Sequence, residues 1–329
     1  EIGVRLVGSE MCIRDRHYHE LCVADQYPAC HPILASLPKL TIHSWLTALQ
    51  TERLEQKAQL ITQRLALCNR NWEDAFFITL ARNFGFGLNG DAFETWAGLL
   101  PFRAMDKHRN DLFQIEAFFY GLAGLLEETF LKKEQEDEYS LRLCKEFRYL
   151  QRKFEIGQGM DATLWRFLRL RPENFPHIRL AQLAYLYQKG DKLFSRLLEA
   201  ETLADVRTLL DARTSPYWEN HYLFGRLSSQ KEKAMGERSK DLIIINTVVP
   251  FLYTYGLHKA DERMFERAGR FLEELKAESN HIIRSWSDAG LAVVSAADSQ
   301  ALIQLQKEYC DKRKCLYCRF GYELSLIHI

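Results

Sequence analysis

The sequence has no excess of charge of either sign and no long apolar run. Its 329 residues carry 44 basic and 44 acidic side chains, so no overall field draws the chain to nucleic acid or to a membrane, and any such binding must be local. The most apolar stretch, Leu242–Leu257, is shorter than a bilayer requires and contains Asn246 and Pro250. We therefore expect no membrane partner, and we interpret this stretch as a buried core helix.

The usual catalytic signatures are also missing. The sequence has no GK[ST] phosphate loop, no H-E-x-x-H pair and no G-x-S-x-G elbow, which removes the common signatures of NTPases, zinc peptidases and α/β-hydrolases. The run from Gly85 to Gly90 matches G-x-G-x-x-G, but a helix rather than a strand precedes it, so we interpret it as a loop that ends a helix. The sequence predicts no reaction, and whether the chain is an enzyme stays open.

Alternating strand patterns are almost absent, with Leu291–Val294 as the one weak candidate. Apolar residues recur at helical spacing instead, and no fixed period repeats along the chain. The sequence therefore predicts an all-α fold, an irregular multi-helix bundle without a regular solenoid repeat. One predicted helix covers Trp72–Phe84, and another runs from Asn110 through Leu126, where apolar residues on every side predict complete burial.

The two ends of the sequence differ from the rest. Residues 1–16 and 325–329 resemble translated sequencing-adapter read-through, so we exclude them from fold reasoning. Without Cys12, seven of the eight cysteines remain, and an odd number without a signal peptide predicts a cytoplasmic protein rather than a secreted disulfide framework. The rest divides into a predicted connector (17–38), a helical domain (39–213), a polar linker or loop (214–239) and a C-terminal helical subdomain (240–324).

The strongest chemical signal is a group of cysteines near the C-terminus. Cys310, Cys315 and Cys318 have the spacing C-x4-C-x2-C, which lets three thiolates converge on one metal, and the basic run Lys312–Lys314 would favour thiolate over thiol. We predict an iron–sulfur cluster or a zinc ion; the alternative is three ordinary thiols. The fourth ligand stays open among Cys22, Cys30, His31 and Cys144.

Glu116 is the one charged residue between Leu112 and Leu126. A carboxylate in such surroundings must be paired, solvated in a pocket or protonated. It would act as an acid or base with a raised pKa, or it would form a buried structural ion pair. The expected partners are His108, Arg82 and Arg169, and the predicted buried polar cluster is Arg82, Glu94, His108 and Glu116.

Arginines are concentrated where one helix must stop and another must start. Arg171 precedes Pro172, so a helix over Trp165–Leu170 should end there, and Pro176 should begin the next helix. Residues 142–179 hold nine basic and four acidic side chains, a local basic excess. The candidates for binding phosphate or nucleic acid are Arg166, Arg169, Arg171, His177 and Arg179. The alternative is that these arginines pair with acids such as Glu116 and Glu94.

Four runs of the sequence resemble one protein family. They are LARNFGFGLNGDAFE (80–94), FLRLRPENFPHIRLAQLA (167–184), INTVVPFLYTYG (245–256), and DSQALIQLQKEYC with CLYCRFG (298–321). These runs are similar to domain-of-unknown-function family 2851, an uncharacterised bacterial family found mainly in Bacteroidota. The likeness covers residues 17–324, and it implies no activity because the family has none assigned.

The resemblance does imply a relation to nucleases. Members of the family look longer at the N-terminus, where a β-rich segment resembles restriction-endonuclease-like nucleases; that segment is not in this sequence. Leu122 stands where we expect the family to have glutamine, which weakens a site at Glu116. Some nucleases of that class hold an iron–sulfur cluster with one upstream and three C-terminal cysteines. By analogy, Cys310, Cys315 and Cys318 would be the three C-terminal ligands.

We therefore predict a helical accessory region of a nuclease-like protein. It would bind nucleic acid or phosphate through the arginines, have no catalytic centre of its own, and have the missing N-terminal domain of the same protein as a partner. The alternative is a helical protein-interaction or structural module with a structural metal knuckle.

Overall fold

A computed structural model of the chain describes residues 30–128, 130–131 and 136–327. These residues form two compact units. The central unit covers residues 60–261, and the terminal unit combines residues up to 59 with residues from 262 onward. The adapter-like residues 1–16 and most of the predicted connector lie outside the described residues.

The described residues are predominantly helical, which confirms the predicted all-α class. The central unit contains the α-helices Trp72–Phe84, Gly90–Gly98, Phe102–Asp106, Leu112–Leu122, Glu138–Lys153, Pro176–Lys189, Leu193–Glu199, Leu203–Leu209, Pro216–Glu219, Glu237–Ile243 and Val249–Lys259. It also contains the π-helical segment Ile244–Val248 and the 3-10 turns Ala162–Leu164 and Pro172–Asn174. The terminal unit contains His31–Leu34, Glu262–Glu274, His281–Asp288, Ala296–Gln304 and Arg319–Ile327, with the π-helical Leu305–Cys310 and the 3-10 turn Cys315–Tyr317. The long helix Lys39–Leu67 contributes residues to both units.

Two strands were missed by the sequence prediction. His221–Leu223 and Arg226–Leu227 pair antiparallel as a small hairpin, the one sheet among the described residues. The weak candidate at Leu291–Val294 is not a strand. A strand of two or three residues is too short to show the alternation on which a sequence prediction depends.

The Trp72–Phe84 helix has the predicted bounds because its start is encoded locally. The side chain of Asn71 accepts hydrogen bonds from the backbone N–H groups of Glu73, at 3.0 Å, and Asp74, at 3.4 Å. This N-cap supplies partners for amides that have none within the helix. Phe76, Leu80 and Phe84 lie on its buried side, so the same short run of sequence sets both the start and the inward face.

The Leu112–Leu122 helix is the buried centre of the central unit. All of its residues from Ile115 to Leu122 are buried, as the apolar sequence predicts. The helix begins after the cap Asp111 and ends before Leu126, because Gly124 adopts a left-handed conformation with φ of 71°. Glycine takes this conformation without the steric cost that a Cβ brings.

The segment predicted as a linker, 214–239, lies inside the central unit. Its Trp218 and Phe224 are buried, and both rings lie 5.3 Å from the ring of Tyr120. The polar residues 228–236 form no helix or strand, in line with the loop alternative of the prediction. Trp218 and Phe224, which precede them, anchor the segment to the core helix.

The terminal unit has a separate apolar core built from both ends of the described chain. Leu49, from the Lys39–Leu67 helix, belongs to the same buried cluster as Trp286, Leu302 and Phe320. The core therefore depends on residues that are far apart in sequence.

In the described part of the chain, no helix is both long enough and apolar enough to span a bilayer.

A substitution at Gly121 tests how tightly the core of the central unit is packed. A Cβ on this residue would lie 2.3 Å from ring carbons of Phe147, so Gly121→Ala must displace an aromatic ring in a close-packed site. We expect the free energy of unfolding to fall by about 1–3 kcal/mol. Denaturant unfolding followed by circular dichroism measures this change.

Gly269 provides the matched control. It lies inside the Glu262–Glu274 helix, where a Cβ would meet no atom within 4 Å. Gly269→Ala should raise the free energy of unfolding of its unit by about 0.5–1 kcal/mol, because alanine has the better helix propensity. Destabilisation of similar size by both substitutions would contradict the packing described here.

Candidate functional site

The arginine corner, residues 165–179, is fixed by hydrogen bonds rather than by a helix. The side chain of Asn89 makes two hydrogen bonds with the backbone of Arg166. Its Nδ2 donates to the Arg166 carbonyl at 2.9 Å, and its Oδ1 accepts from the Arg166 amide at 2.8 Å. The buried indole of Trp165 donates to the carbonyl oxygen of Ala123 at 2.8 Å. The corner is thus fastened at two points to other elements of the central unit.

The predicted helix over Trp165–Leu170 is wrong. A 3-10 turn, Ala162–Leu164, capped by Asp161, ends before it, and no helix covers residues 165–171. Asn89 takes the backbone groups of Arg166 that a helix would need, and Arg169 is left-handed with φ of 65°. The remaining expectations are confirmed: Arg171 is extended, and Pro176 opens the next helix.

The five predicted anion-binding residues fall into two groups. Arg166, Arg169 and Arg171 are exposed, and no salt bridge involves them in the described residues. The expected pairing of corner arginines with Glu116 or Glu94 is therefore wrong for these three. Their guanidinium groups face solvent.

Arg179 and His177 are buried and structural. The guanidinium of Arg179 donates to Gln182 at 2.9 Å and to Asn174 at 2.6 Å, and it lies 4.4 Å from the ring centre of Phe86. Burial lowers the pKa of Arg179 to about 10 and that of His177 to about 3, so His177 is neutral at neutral pH. Neither side chain is placed to meet a ligand from solution.

Arg82 and Glu94, two members of the predicted polar cluster, pair with each other at the edge of the core. Glu94 accepts hydrogen bonds from both Arg82 and Arg64, and Arg82 also contacts Asp91 at 2.7 Å. The side chain of Arg82 is 42% exposed, which makes this an ordinary half-buried ion pair. The four charged residues lie on three successive helices, Lys39–Leu67, Trp72–Phe84 and Gly90–Gly98, so the ion pairs link all three.

His108 and Glu116 lie in two other places, so the predicted polar cluster is not a single site. The Nδ1 of His108 bonds to Gln114, and its Nε2 lies 3.4 Å from Lys153. Glu116 accepts a hydrogen bond from the Tyr139 hydroxyl, and none of the three expected partners bonds to it in the described chain. Sequence reasoning missed Tyr139 because nothing local links it to a residue 23 positions earlier.

Glu116 is completely buried, and burial changes its titration. Burial raises the pKa of its carboxyl to about 7, against weaker opposition from the hydrogen bond of Tyr139 and from the nearby polar groups of Ser215 and Trp218. Its second oxygen, Oε1, has no hydrogen-bond partner. The group can therefore take up and release a proton near neutral pH.

The C-terminal cysteines lie in short irregular turns of the terminal unit. Cys310 ends a π-helical segment, and the amide of Cys318 donates to the Cys315 carbonyl at 3.2 Å. The basic run was expected to favour thiolate, but burial raises the pKa of Cys318. Within the described residues, no group of three or more His, Cys, Asp or Glu side chains is arranged to hold a metal ion.

Two depressions in the central unit were not foreseen. One, of about 220 Å³, is lined by Asp74, Asp106, Arg109 and Tyr187. Here Asp106 already accepts hydrogen bonds from the Tyr187 hydroxyl, at 2.7 Å, and from Arg109, at 2.5 Å, so these three side chains are partners of one another. The other, of about 610 Å³, is lined by residues that include Arg70, Trp72 and Lys259.

Comparison with known proteins gives a family but no activity. The model of a family described as "Protein of unknown function (DUF2851)" matches residues 9–281. The matched range includes the arginine corner and Glu116, and it stops before Cys310. It also begins inside the adapter-like residues 1–16. No curated protein and no solved structure matches the chain significantly.

The raised pKa of Glu116 predicts that the free energy of unfolding depends on pH. Because the pKa of this carboxyl is raised from 4.5 to about 7, its stabilising contribution is complete below pH 4.5 and is lost as the pH rises through about 7. Glu116→Gln stays neutral. We therefore expect the free energy of unfolding of the variant, relative to wild type, to increase by roughly 3 kcal/mol from pH 4.5 to pH 8.

Urea unfolding at several pH values measures this difference, with Glu127→Gln as the control at an exposed carboxyl. The control should keep the wild-type pH profile. A Glu116→Gln profile parallel to that of wild type would show that the buried carboxyl does not titrate in this range.

Proposed function

We propose that this chain, which belongs to the DUF2851 family of proteins of unknown function, binds the phosphate backbone of nucleic acid through Arg166, Arg169 and Arg171. The observation that carries the proposal is that three exposed arginines, free of salt bridges in the described chain, project from one tethered corner. Arginine offers a planar fork of donors that matches phosphate oxygens.

The conformation of the corner supports a role beyond packing. A non-glycine residue at positive φ costs on the order of 1 kcal/mol or more, and Arg169 adopts φ of 65° in a segment that Asn89 and Trp165 hold in place. Such local strain often occurs at binding sites, where it fixes a side chain in one direction. A fixed arginine loses less conformational entropy when it binds.

A second basic surface lies in the same unit. The Glu138–Lys153 helix exposes Arg142, Lys145, Arg148 and Arg152 at spacings of three or four residues, so they share one side of the helix. Arg148 is engaged with Glu128 at 3.2 Å, and both groups are exposed, where ion pairs contribute little. A stripe of this kind follows an extended polyanion better than it fits a single small anion.

The proposal extends to the rest of the protein by resemblance. A nuclease-like N-terminal domain of the same protein would carry the chemistry, and this helical region would hold the substrate without a catalytic centre of its own. We place the protein in the cytoplasm, and the six described cysteines, which are all free thiols, support a reducing compartment.

The alternative function is a helical interaction or structural module, favoured by the burial of Arg179 and His177 inside the corner. In either case we propose that Cys310, Cys315 and Cys318 hold a metal, as an iron–sulfur cluster or a zinc ion. The support for this metal is the C-x4-C-x2-C spacing.

Salt-dependent binding tests the nucleic-acid proposal. We expect the chain to bind single-stranded or duplex oligonucleotides at low salt, with an affinity that falls linearly with salt concentration on logarithmic axes. Replacing Arg166, Arg169 and Arg171 together by alanine should weaken binding about tenfold or more at low salt. It should also reduce the salt slope by about 0.7–0.9 for each phosphate that the variant no longer neutralises. Fluorescence anisotropy provides both quantities.

The matched control removes the same charge elsewhere. Arg103, Arg196 and Arg238 are also exposed in the central unit, and their joint replacement by alanine should leave the salt slope near the wild-type value. Equal losses of affinity in both triple variants would show binding by net charge alone. No binding of DNA or RNA at low salt would leave the interaction module as the better account.

A further inference from the structure

We propose that the larger depression of the central unit binds a nucleoside monophosphate, either as a free nucleotide or as one unit of a nucleic-acid strand. The depression has a volume of about 610 Å³, and its walls include Leu65, Ala66, Arg70, Trp72, His258 and Lys259. Sites for small organic molecules typically measure roughly 300–1,000 Å³. No residue of the arginine corner lines this depression, so the proposal does not depend on that corner.

Two helices end beside the depression, Lys39–Leu67 and Val249–Lys259. The chain turns sharply after each of them in a left-handed conformation, at Arg70 with φ of 62° and at Ala260 with φ of 51°. Residues with a Cβ adopt this conformation rarely. The two turns bring Arg70 and Lys259, which are far apart in sequence, to one depression.

The depression carries positive charge. None of the described residues that line it is acidic, and no salt bridge in the described chain involves Arg70 or Lys259, which are both exposed. The acids that follow Trp72 in the chain, Glu73 and Asp74, line the smaller depression instead. The two helix ends together contribute about one negative charge, and the two cations exceed it by about one unit. An anion is therefore the favoured occupant.

An aromatic wall is held rigidly beside these cations. The half-buried indole of Trp72 stacks on Phe194, with 5.4 Å and 10° between the rings. The rings of Tyr255 and His258 lie nearly perpendicular to it, at 5.2 and 5.4 Å. The Nε2 of His258 also forms a hydrogen bond of 3.2 Å with the Thr62 hydroxyl. These contacts fix the indole in one orientation before any ligand binds.

A nucleoside monophosphate matches both parts of the lining. Its base can pack on the apolar wall that Leu65, Ala66 and Trp72 provide, as bases pack on aromatic side chains in other proteins. Its phosphate can meet the guanidinium fork of Arg70 and the ammonium group of Lys259. Inorganic phosphate alone would leave most of the volume and the whole apolar wall uncovered. The lining therefore fits an organic phosphate with a planar ring.

Isothermal titration calorimetry on the whole chain tests the proposal, with AMP, UMP, adenosine, uridine and inorganic phosphate as ligands at low salt. At least one nucleotide should bind about tenfold or more tightly than both its nucleoside and inorganic phosphate. Arg70→Ala and Lys259→Ala should each weaken nucleotide binding about fivefold or more. Both variants should leave nucleoside binding unchanged, because a nucleoside has no phosphate for these side chains to contact.

Two further variants separate loss of the site from loss of the fold. Ala66 is exposed at the wall of the depression, so Ala66→Trp should fill the space and abolish binding of nucleotide and nucleoside alike. Arg238 is exposed and does not line the depression, so Arg238→Ala should bind nucleotide as wild type does. Far-ultraviolet circular dichroism should show the same helix content in every variant, because all the replaced side chains are exposed.

Competition distinguishes the two sources of the nucleotide. The chain in which Arg166, Arg169 and Arg171 are replaced by alanine should bind the nucleotide with wild-type affinity. Displacement of the nucleotide from this variant by an oligonucleotide would identify a unit of a strand as the occupant. Nucleotide that is retained against the oligonucleotide would identify a free nucleotide. Either result supports the site.

Three results would overturn the proposal. One is the absence of nucleotide binding at concentrations up to about 1 mM. Another is nucleotide binding that Arg70→Ala, Lys259→Ala and Ala66→Trp all leave unchanged. The last is inorganic phosphate that binds as tightly as the nucleotides. Loss of oligonucleotide binding in the variant of the arginine corner bears on the corner alone, since neither Arg70 nor Lys259 belongs to it.

Discussion

A fold made of short helices has many helix ends, and each start leaves backbone N–H groups without partners inside the helix. This chain satisfies them with side chains placed just before the helices. The residues that accept these hydrogen bonds include Asn71, Asp111, Asp137, Asp161, Thr202, Asn280 and Ser295. The same demand explains the arginine corner, where Asn89 supplies the partners that a missing helix would have given, and the position of Cys318 before the Arg319–Ile327 helix. At the arginine corner, the residue that satisfies the backbone is Asn89, and at the C-terminal cysteines the residue that precedes the helix is Cys318.

The second constraint is the cost of burying polar groups, and it separates residues that looked alike in the sequence. Arg179 and His177 are inside, where Arg179 meets neutral partners and His177 loses its charge, whereas Arg166, Arg169 and Arg171 keep their hydration. Glu116 is accommodated by a tyrosine hydroxyl rather than by a cation. A carboxyl without a cation is held more easily in its protonated form, which is why its pKa lies near neutrality.

The sequence predicted the features whose cause is local. The Trp72–Phe84 helix was found from its apolar period, and Pro176 marked the start of its helix because proline restricts its own φ and its neighbour's. The helix expected at Trp165–Leu170 was wrong because Asn89, far away in sequence, binds its backbone. Tyr139 as the partner of Glu116, and Asn89 as the partner of Arg166, could not have been found either. Those contacts exist because helices pack in one particular arrangement, which no short window of sequence contains.

The composition of the terminal unit bears on how the protein is made. Its core combines Leu49 with Trp286 and Phe320. During synthesis, Leu49 therefore cannot be buried in this core until the segment that contains Phe320 has left the ribosome. The central unit, residues 60–261, is contiguous and can fold first. Contacts between distant residues also make closure of the terminal unit the slower step. Until then its apolar surface is exposed, and a stalled or truncated chain would be a natural substrate for chaperones and proteases.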